Sequence, residues 1–198
     1  TFEAIVDSNY PKKKMMIVLA GEEKDRDNFL EIAEKIKKEF AHLFFKFLIT
    51  VHPILPDEKA GKGSNTHYAG KKAKEIVDEL GLDYGKVIVS DFDIDTIVHK
   101  EYFAYLTYKY ITSPDPTRRS FQPIAVYANN IWTSSALVRI VSFGTTFWLM
   151  NELSHPERVI TFSSHSMSFK ALVDVGFWDK TVVSEDSRIF FQCLIRYH

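Results

Sequence analysis

Residues 86–96, KVIVSDFDIDT, constrain this chain more than any other stretch. Val87, Ile88 and Val89 form a short β-branched run, the pattern of a buried strand. Asp91, Asp93 and Asp95 follow at alternating positions. Side chains alternate across a strand, so a backbone that stays extended points all three the same way. Three like charges on one side repel one another. They make sense facing water, as a solvated turn with a capping aspartate, or sharing a cation. Hard divalent ions such as Mg²⁺ take oxygen ligands and commonly keep substrate phosphates as the remainder. Three carboxylates straight after an apolar run favour a divalent-metal site at the C-terminal end of a central strand, where open α/β sheets bind ligands.

The elements on either side predict the fold class. Residues 15–20 (MMIVLA) read as a first buried strand, behind a leader over 1–14. Phe29, Ile32, Ala33, Ile36 and Phe40 recur at helical spacing after Asp27, a candidate cap. Residues 44–51 predict a second strand, 52–63 a Pro- and Gly-containing loop, and 65–80 a second helix. Strand, helix, strand, helix, strand is the order of a parallel, doubly wound α/β sheet. The first half therefore reads as a nucleotide-binding half. No G-x-G-x-x-G follows the first strand and no G-x-x-x-x-G-K-[ST] occurs, which argues against a Rossmann dehydrogenase and a P-loop NTPase.

The second half predicts a helix near 100–111, a two-proline turn over 113–119, and a strand within 121–127. An unusually apolar helix over 134–153 follows, with Phe143, Phe147 and Trp148 expected in the core. Then come a short strand over 159–162, a polar loop over 163–166, a helix over 169–175 ending at Gly176, and a last helix from Arg188.

Composition removes several function classes. A net charge of -1 gives no reason to expect nucleic acid as a partner. A single cysteine, Cys193, excludes an internal disulfide and suggests a reducing, cytoplasmic setting. Lys46 and Arg139 break the two longest apolar windows, so no membrane span is expected. No signal peptide is recognised. At 198 residues the chain fits one domain; it reads as a fragment of something longer, whose full-length form could work at the cytoplasmic face of a membrane.

Two further stretches could carry chemistry. Ser184-Glu185-Asp186 precedes the last helix; it is either a cap or a carboxylate held as a general base. Residues 59–65 (KAGKGSN) are either a solvated loop with Asn65 as helix cap or a site where lysines meet phosphate and glycines permit close approach.

Taken together, VIVSDFDIDT with Tyr102-Phe103 downstream, and SHSMSFKALVDVGFWDKTVVSEDSRIFFQCL, resemble the family 2 glycosyltransferases of GT-A fold. The cellulose-synthase-like and hyaluronan-synthase-like branches are included. The likeness spans most of residues 15–197. It implies a GT-A-like, Rossmann-like, mostly parallel central sheet with helices on both faces, all within one domain over 1–198. About 14–112 would form the nucleotide-binding half and 113–198 the acceptor-side half. It implies an inverting hexosyl transfer from a nucleotide diphosphate sugar, UDP-sugar favoured, to a sugar or lipid-linked acceptor, of the kind used in polysaccharide biosynthesis.

Residue by residue, the D-x-D match is Asp93-Ile94-Asp95, with Asp93 near ribose or metal and Asp95 binding Mg²⁺ or Mn²⁺. Lys62 and Asn65 match the loop under the nucleotide, and Glu22 the first-strand loop that contacts the base. Ser184-Glu185-Asp186 matches the T-E-D motif with Ser for Thr, making Asp186 the catalytic base beside Glu185. His165 would touch the acceptor or donor sugar, or be a structural loop histidine. The family's Q-x-x-R-W motif does not follow.

Three other readings remain from the residues. A haloacid-dehalogenase-type phosphatase wants Thr or Val two places past its second Asp, and Asp95 or Ile97 stands there. A nucleotidyltransferase normally has a glycine-rich loop after the first strand, where only Gly21 is present. A non-catalytic nucleotide-sugar-binding domain would carry the same elements. His99 and Arg118-Arg119 read as structural and solvated, and Cys193 lacks a companion base.

Overall fold

Strand β1 (Met16–Glu22) shows why residues 15–20 are apolar without interruption. Met16 and Val18 pack against one core, and Ile17 packs against another. A strand buried on both faces needs no polar alternation. The computed structural model describes residues 1–129, 131–155 and 160–198.

Helix α1 (Phe2–Val6) precedes β1, followed by α2 (Arg26–Phe40), β2 (Lys46–His52), α3 (Lys62–Glu79) and β3 (Ile88–Ser90). Then come α4 (Tyr102–Thr112), β4 (Ser120–Phe121), α5 (Ala136–Leu153), β5 (Ser166–Ser168), α6 (Phe169–Asp174) and α7 (Glu185–Tyr197). The fold is mixed α/β, and its first half runs β-α-β-α-β as expected.

β1 and β2 pair in parallel from Met16–Lys46 to Glu22–His52. The second sheet is antiparallel, in the order β3-β5-β4. Among the described residues no ladder joins β1 to β3, so the two sheets stand as separate pieces. One core gathers Ala73 and Val77 of α3, Met167 of β5, Phe169, Ala171 and Leu172 of α6, Phe177 and Trp178 from the segment after α6, and Ile189 of α7. The other gathers Ile5, Phe44 and Val98, with Phe92, Tyr102 and Phe103 against them.

Several local expectations change. The leader is not loose: Ile5 is buried, and the Phe2 ring stacks on Phe40 at 5.8 Å. The strand expected over 159–162 is absent from Ile160 to Phe162, and Val159 lies outside the described residues. Pairing instead involves β5, within and just after the polar loop. Its serines are buried because Ser166 Oγ meets Ser90 Oγ at 2.7 Å and Tyr102 Oη at 2.8 Å, while Tyr110 Oη donates to Ser168 Oγ at 3.0 Å. Hydroxyls that are mutually satisfied can occupy an interior that periodicity alone assigns to apolar residues.

α5 forms as expected, yet its apolar side chains are not core. Leu149 is 2% exposed, whereas Leu137, Ile140, Val141, Phe143, Phe147 and Trp148 are all more than half exposed. The helix is apolar all round, so its sequence carries no facing information. Among the described residues no helix is long and apolar enough to cross a membrane.

Candidate functional site

Three elements that are far apart in sequence end at one point. α3 starts at Lys62, four residues earlier than Asn65 as cap would place it. Gly61 precedes it with φ 152°, a conformation that favours glycine. At Gly63 an added Cβ would come within 3.0 Å of the Asp179 carbonyl and 3.1 Å of Glu185 Cβ. The absence of that carbon lets the start of α3 approach the start of α7.

β3 ends at Ser90, and the Asp91 N–H donates to the His165 carbonyl at 3.0 Å. The chain then turns: the Thr96 N–H donates to the Asp93 carbonyl at 2.9 Å. This turn breaks the strand alternation. Asp91 and Asp93 reach the site together, while Asp95 is exposed and lies outside the group. α7 places Glu185 and Asp186 in its first turn, where a helix N-terminus favours negative charge. The Thr161 hydroxyl donates to the Asp186 carbonyl at 2.6 Å and ties that turn to the chain before β5.

The Lys62 ammonium sits at the meeting point. Its Nζ lies 2.9 Å from Asp93 Oδ1, 3.4 Å from Asp91 Oδ2, 3.5 Å from Glu185 Oε1 and 3.2 Å from Asp186 Oδ2. Oxygens of Asp91, Glu185 and Asp186 also lie within 4.8 Å of one another, a spacing that one metal ion could span. His165 is 1% exposed and neither ring nitrogen makes a hydrogen bond; its Nδ1 lies 3.6 Å from Asp186 Oδ1.

Burial and charge tune these groups in different directions. Burial opposes the charge on Lys62, but Asp91 and Asp186 outweigh it and its pKa is raised. Burial pushes the Asp91 carboxyl up to about 7, against the pull of Lys62. Glu185 is raised, first by burial and also by Asp186 beside it. Asp93 is lowered: burial resists, but the Ser163 hydroxyl and Lys62 stabilise its anion. Burial holds His165 below its ordinary value, against the Asp186 carboxylate. Carboxylates with divergent affinities for a proton, gathered around one cation, are the pattern of a functional site.

Comparison with known proteins returns no match: no protein-family model, no curated protein and no solved structure is similar to this chain. The site is therefore read from its own geometry. A cleft of about 1080 Å³ runs past it, lined by β1, by Val87 to Asp93, and by Lys62 and Asn65. Its volume lies at the upper end of small-molecule sites. Asn65 Oδ1 is buried there without a hydrogen-bond partner.

Of the expected residues, Lys62, Asp93, Glu185, Asp186 and His165 come together, with Asn65 in the same cleft. Glu22 ends β1 and pairs with Lys24 at 2.9 Å, outside the group around Lys62. His99 is exposed, and its Nδ1 accepts from the Glu101 N–H at 3.2 Å. Asp91 reads from the sequence with Asp93 and Asp95 as one of three carboxylates sharing a cation, but it has no clear place in the family match. Its closeness to the buried strand, with only Ser90 between, was the available signal: the first carboxylate after the strand is the one least able to turn away.

Proposed function

We propose that this chain is an inverting glycosyltransferase that moves a sugar from a nucleotide diphosphate sugar to an acceptor hydroxyl. The observation that carries this reading is the meeting of Lys62, Asp91, Asp93, Glu185 and Asp186. Inverting transfer needs a base on one side of the anomeric carbon and a cation on the other to stabilise the departing diphosphate. Of the acidic pair, the Glu185 side chain is 4% exposed and that of Asp186 17% exposed, so Asp186 is the one able to meet an acceptor. Asp186 takes the proton of the incoming hydroxyl. Asp91 and Asp93, at the end of β3, would hold Mg²⁺ or Mn²⁺, whose charge would stabilise the departing diphosphate; Asp93 with Asp95 is the alternative pair that the family pattern suggests.

The corresponding fold is GT-A-like. That fold would bring β1 and β3, which both line the cleft, together as neighbours, whereas the described strands pair as β1-β2 and as β3-β5-β4. Titration of UDP and GDP, each with and without Mn²⁺, tests the reading. Metal-dependent binding of one nucleotide, followed by release of that nucleotide from its sugar conjugate on adding acceptor glycans, is the expected result. A folded chain that binds neither nucleotide under any metal condition removes the proposal.

A further inference from the structure

Lys62 has more partners than it can serve. An ammonium has three N–H donors and one charge. Four carboxylates face it, and when all are ionised three negative charges stay unbalanced. Asp91 Oδ2 is fully buried at 3.4 Å from Nζ and makes no hydrogen bond there. The buried His165 ring, its Nδ1 3.6 Å from Asp186 Oδ1, adds a nitrogen that could ligate a metal ion beside these carboxylates. A divalent cation accepts six or more such ligands and brings twice the charge. A lysine is also poorly placed for its own helix, because the first turn of α3 favours anions over cations.

We propose that Lys62 is an internal counter-cation: a divalent metal ion replaces it among these carboxylates, and the released ammonium moves to the diphosphate of the donor. The proposal rests on the nucleotide-sugar reading of this site and adds how it is switched. With no metal and no donor, Lys62 ties the end of β3 to the start of α7 and neutralises Asp186. A metal ion entering would give Asp91 and Glu185, two of the three residues whose oxygens lie within 4.8 Å of one another, a stronger partner. Lys62, at the end of a flexible four-carbon stem and lining the cleft, then meets the phosphates.

Exchange of this kind makes metal and diphosphate help each other, and the coupling is reciprocal. The test uses calorimetric titration of Mn²⁺ alone, inorganic pyrophosphate alone and the two together, on wild type, Lys62→Met and Lys62→Arg. In wild type each ligand should tighten the other about tenfold or more. Lys62→Met should bind Mn²⁺ about tenfold more tightly than wild type, bind pyrophosphate with Mn²⁺ about tenfold more weakly, and lose most of the coupling. Lys62→Arg should bind Mn²⁺ no more tightly than wild type. A lysine that only supports the fold weakens both ligands when removed, so weaker or unchanged Mn²⁺ binding by a folded Lys62→Met overturns the exchange. If that variant does not fold, wild type carries the test, and independent binding of the two ligands overturns it. Neither readout involves a sugar. Crossed affinities without sugar transfer would keep the exchange and remove only the transferase reading.

Discussion

The Lys62 ammonium and the Asp186 carboxylate, 124 residues apart in the chain, lie 3.2 Å from each other. That contact joins the first turn of α3 to the first turn of α7 and puts a cation beside the proposed base. Asp186→Asn keeps the shape and removes the proton acceptor. Transfer should fall by about 10²- to 10⁴-fold, the usual contribution of a general base. Nucleotide binding in the presence of Mn²⁺ should change little. Turnover and calorimetric affinity, measured on one preparation, check both halves; unchanged turnover assigns the base elsewhere.

The two aspartate pairs make opposite forecasts. Asp91 and Asp93 surround Lys62, while Asp95 is exposed. Asp91→Ala should therefore weaken Mn²⁺-dependent nucleotide binding about tenfold or more, and Asp95→Ala by less than about threefold, since removal of a ligand in direct contact with a metal costs far more than removal of a solvated charge. The reverse ranking would return the metal to Asp93-Ile94-Asp95.

Stability should carry the mark of Asp91. Its carboxyl is pushed up to about 7 by burial, whereas an unfolded aspartate titrates near ~3.9. Between these values the folded chain holds a proton that the unfolded chain has released. Stability from this group is therefore present at the acid end and is lost as pH rises from about 4 to about 7. Glu185, also raised by burial, acts in the same sense. In chelator-treated buffer, Asp91→Asn should flatten the decline in Tm between pH 5 and pH 7.5 relative to wild type. Parallel curves for the two proteins would contradict this.

Gly63 is the hinge of the α3–α7 approach. A valine there would drive its Cβ against the Asp179 carbonyl and Glu185. Overpacking of this kind costs about 1–3 kcal/mol, and urea denaturation should read it as a lower midpoint with an unchanged slope. Lys62 should also lose its hold on Glu185 and Asp186, so nucleotide binding should weaken along with stability.

α5 allows a comparison within one helix. Leu149→Ala empties a buried position and should cost about 2–5 kcal/mol. Phe147→Ser, two residues earlier and exposed, should change stability by less than about 0.5 kcal/mol. A large loss at Phe147 would mean that this face is covered in solution.

Legibility in the sequence differed by element. MMIVLA, FFKFLITV and the β-branched run at 87–89 were readable because an apolar run between turn signals has few other uses. Ser166 to Ser168 was not readable as a strand, because its burial depends on hydroxyl partners brought by β3 and α4. Phe143, Phe147 and Trp148 misled for the opposite reason: helical spacing reports that a helix is apolar, not what it meets. For the site, Lys62, Asp93, Glu185 and Asp186 were each visible beside an equally ordinary reading as loop or cap.

By itself the sequence determined the β-α-β-α-β order of the first half, the carboxylates at the end of β3 and the acidic start of α7, since these follow from local periodicity, capping and charge. Only the tertiary structure decided that Lys62 faces four carboxylates, that Asp91 joins them while Asp95 does not, and that His165 is buried beside Asp186. The reason is physical. Alternation along an extended strand is local and ends where the Asp93–Thr96 turn begins, whereas the contact between α3 and α7 depends on a side chain that Gly63 lacks and on a core made from residues a hundred positions apart.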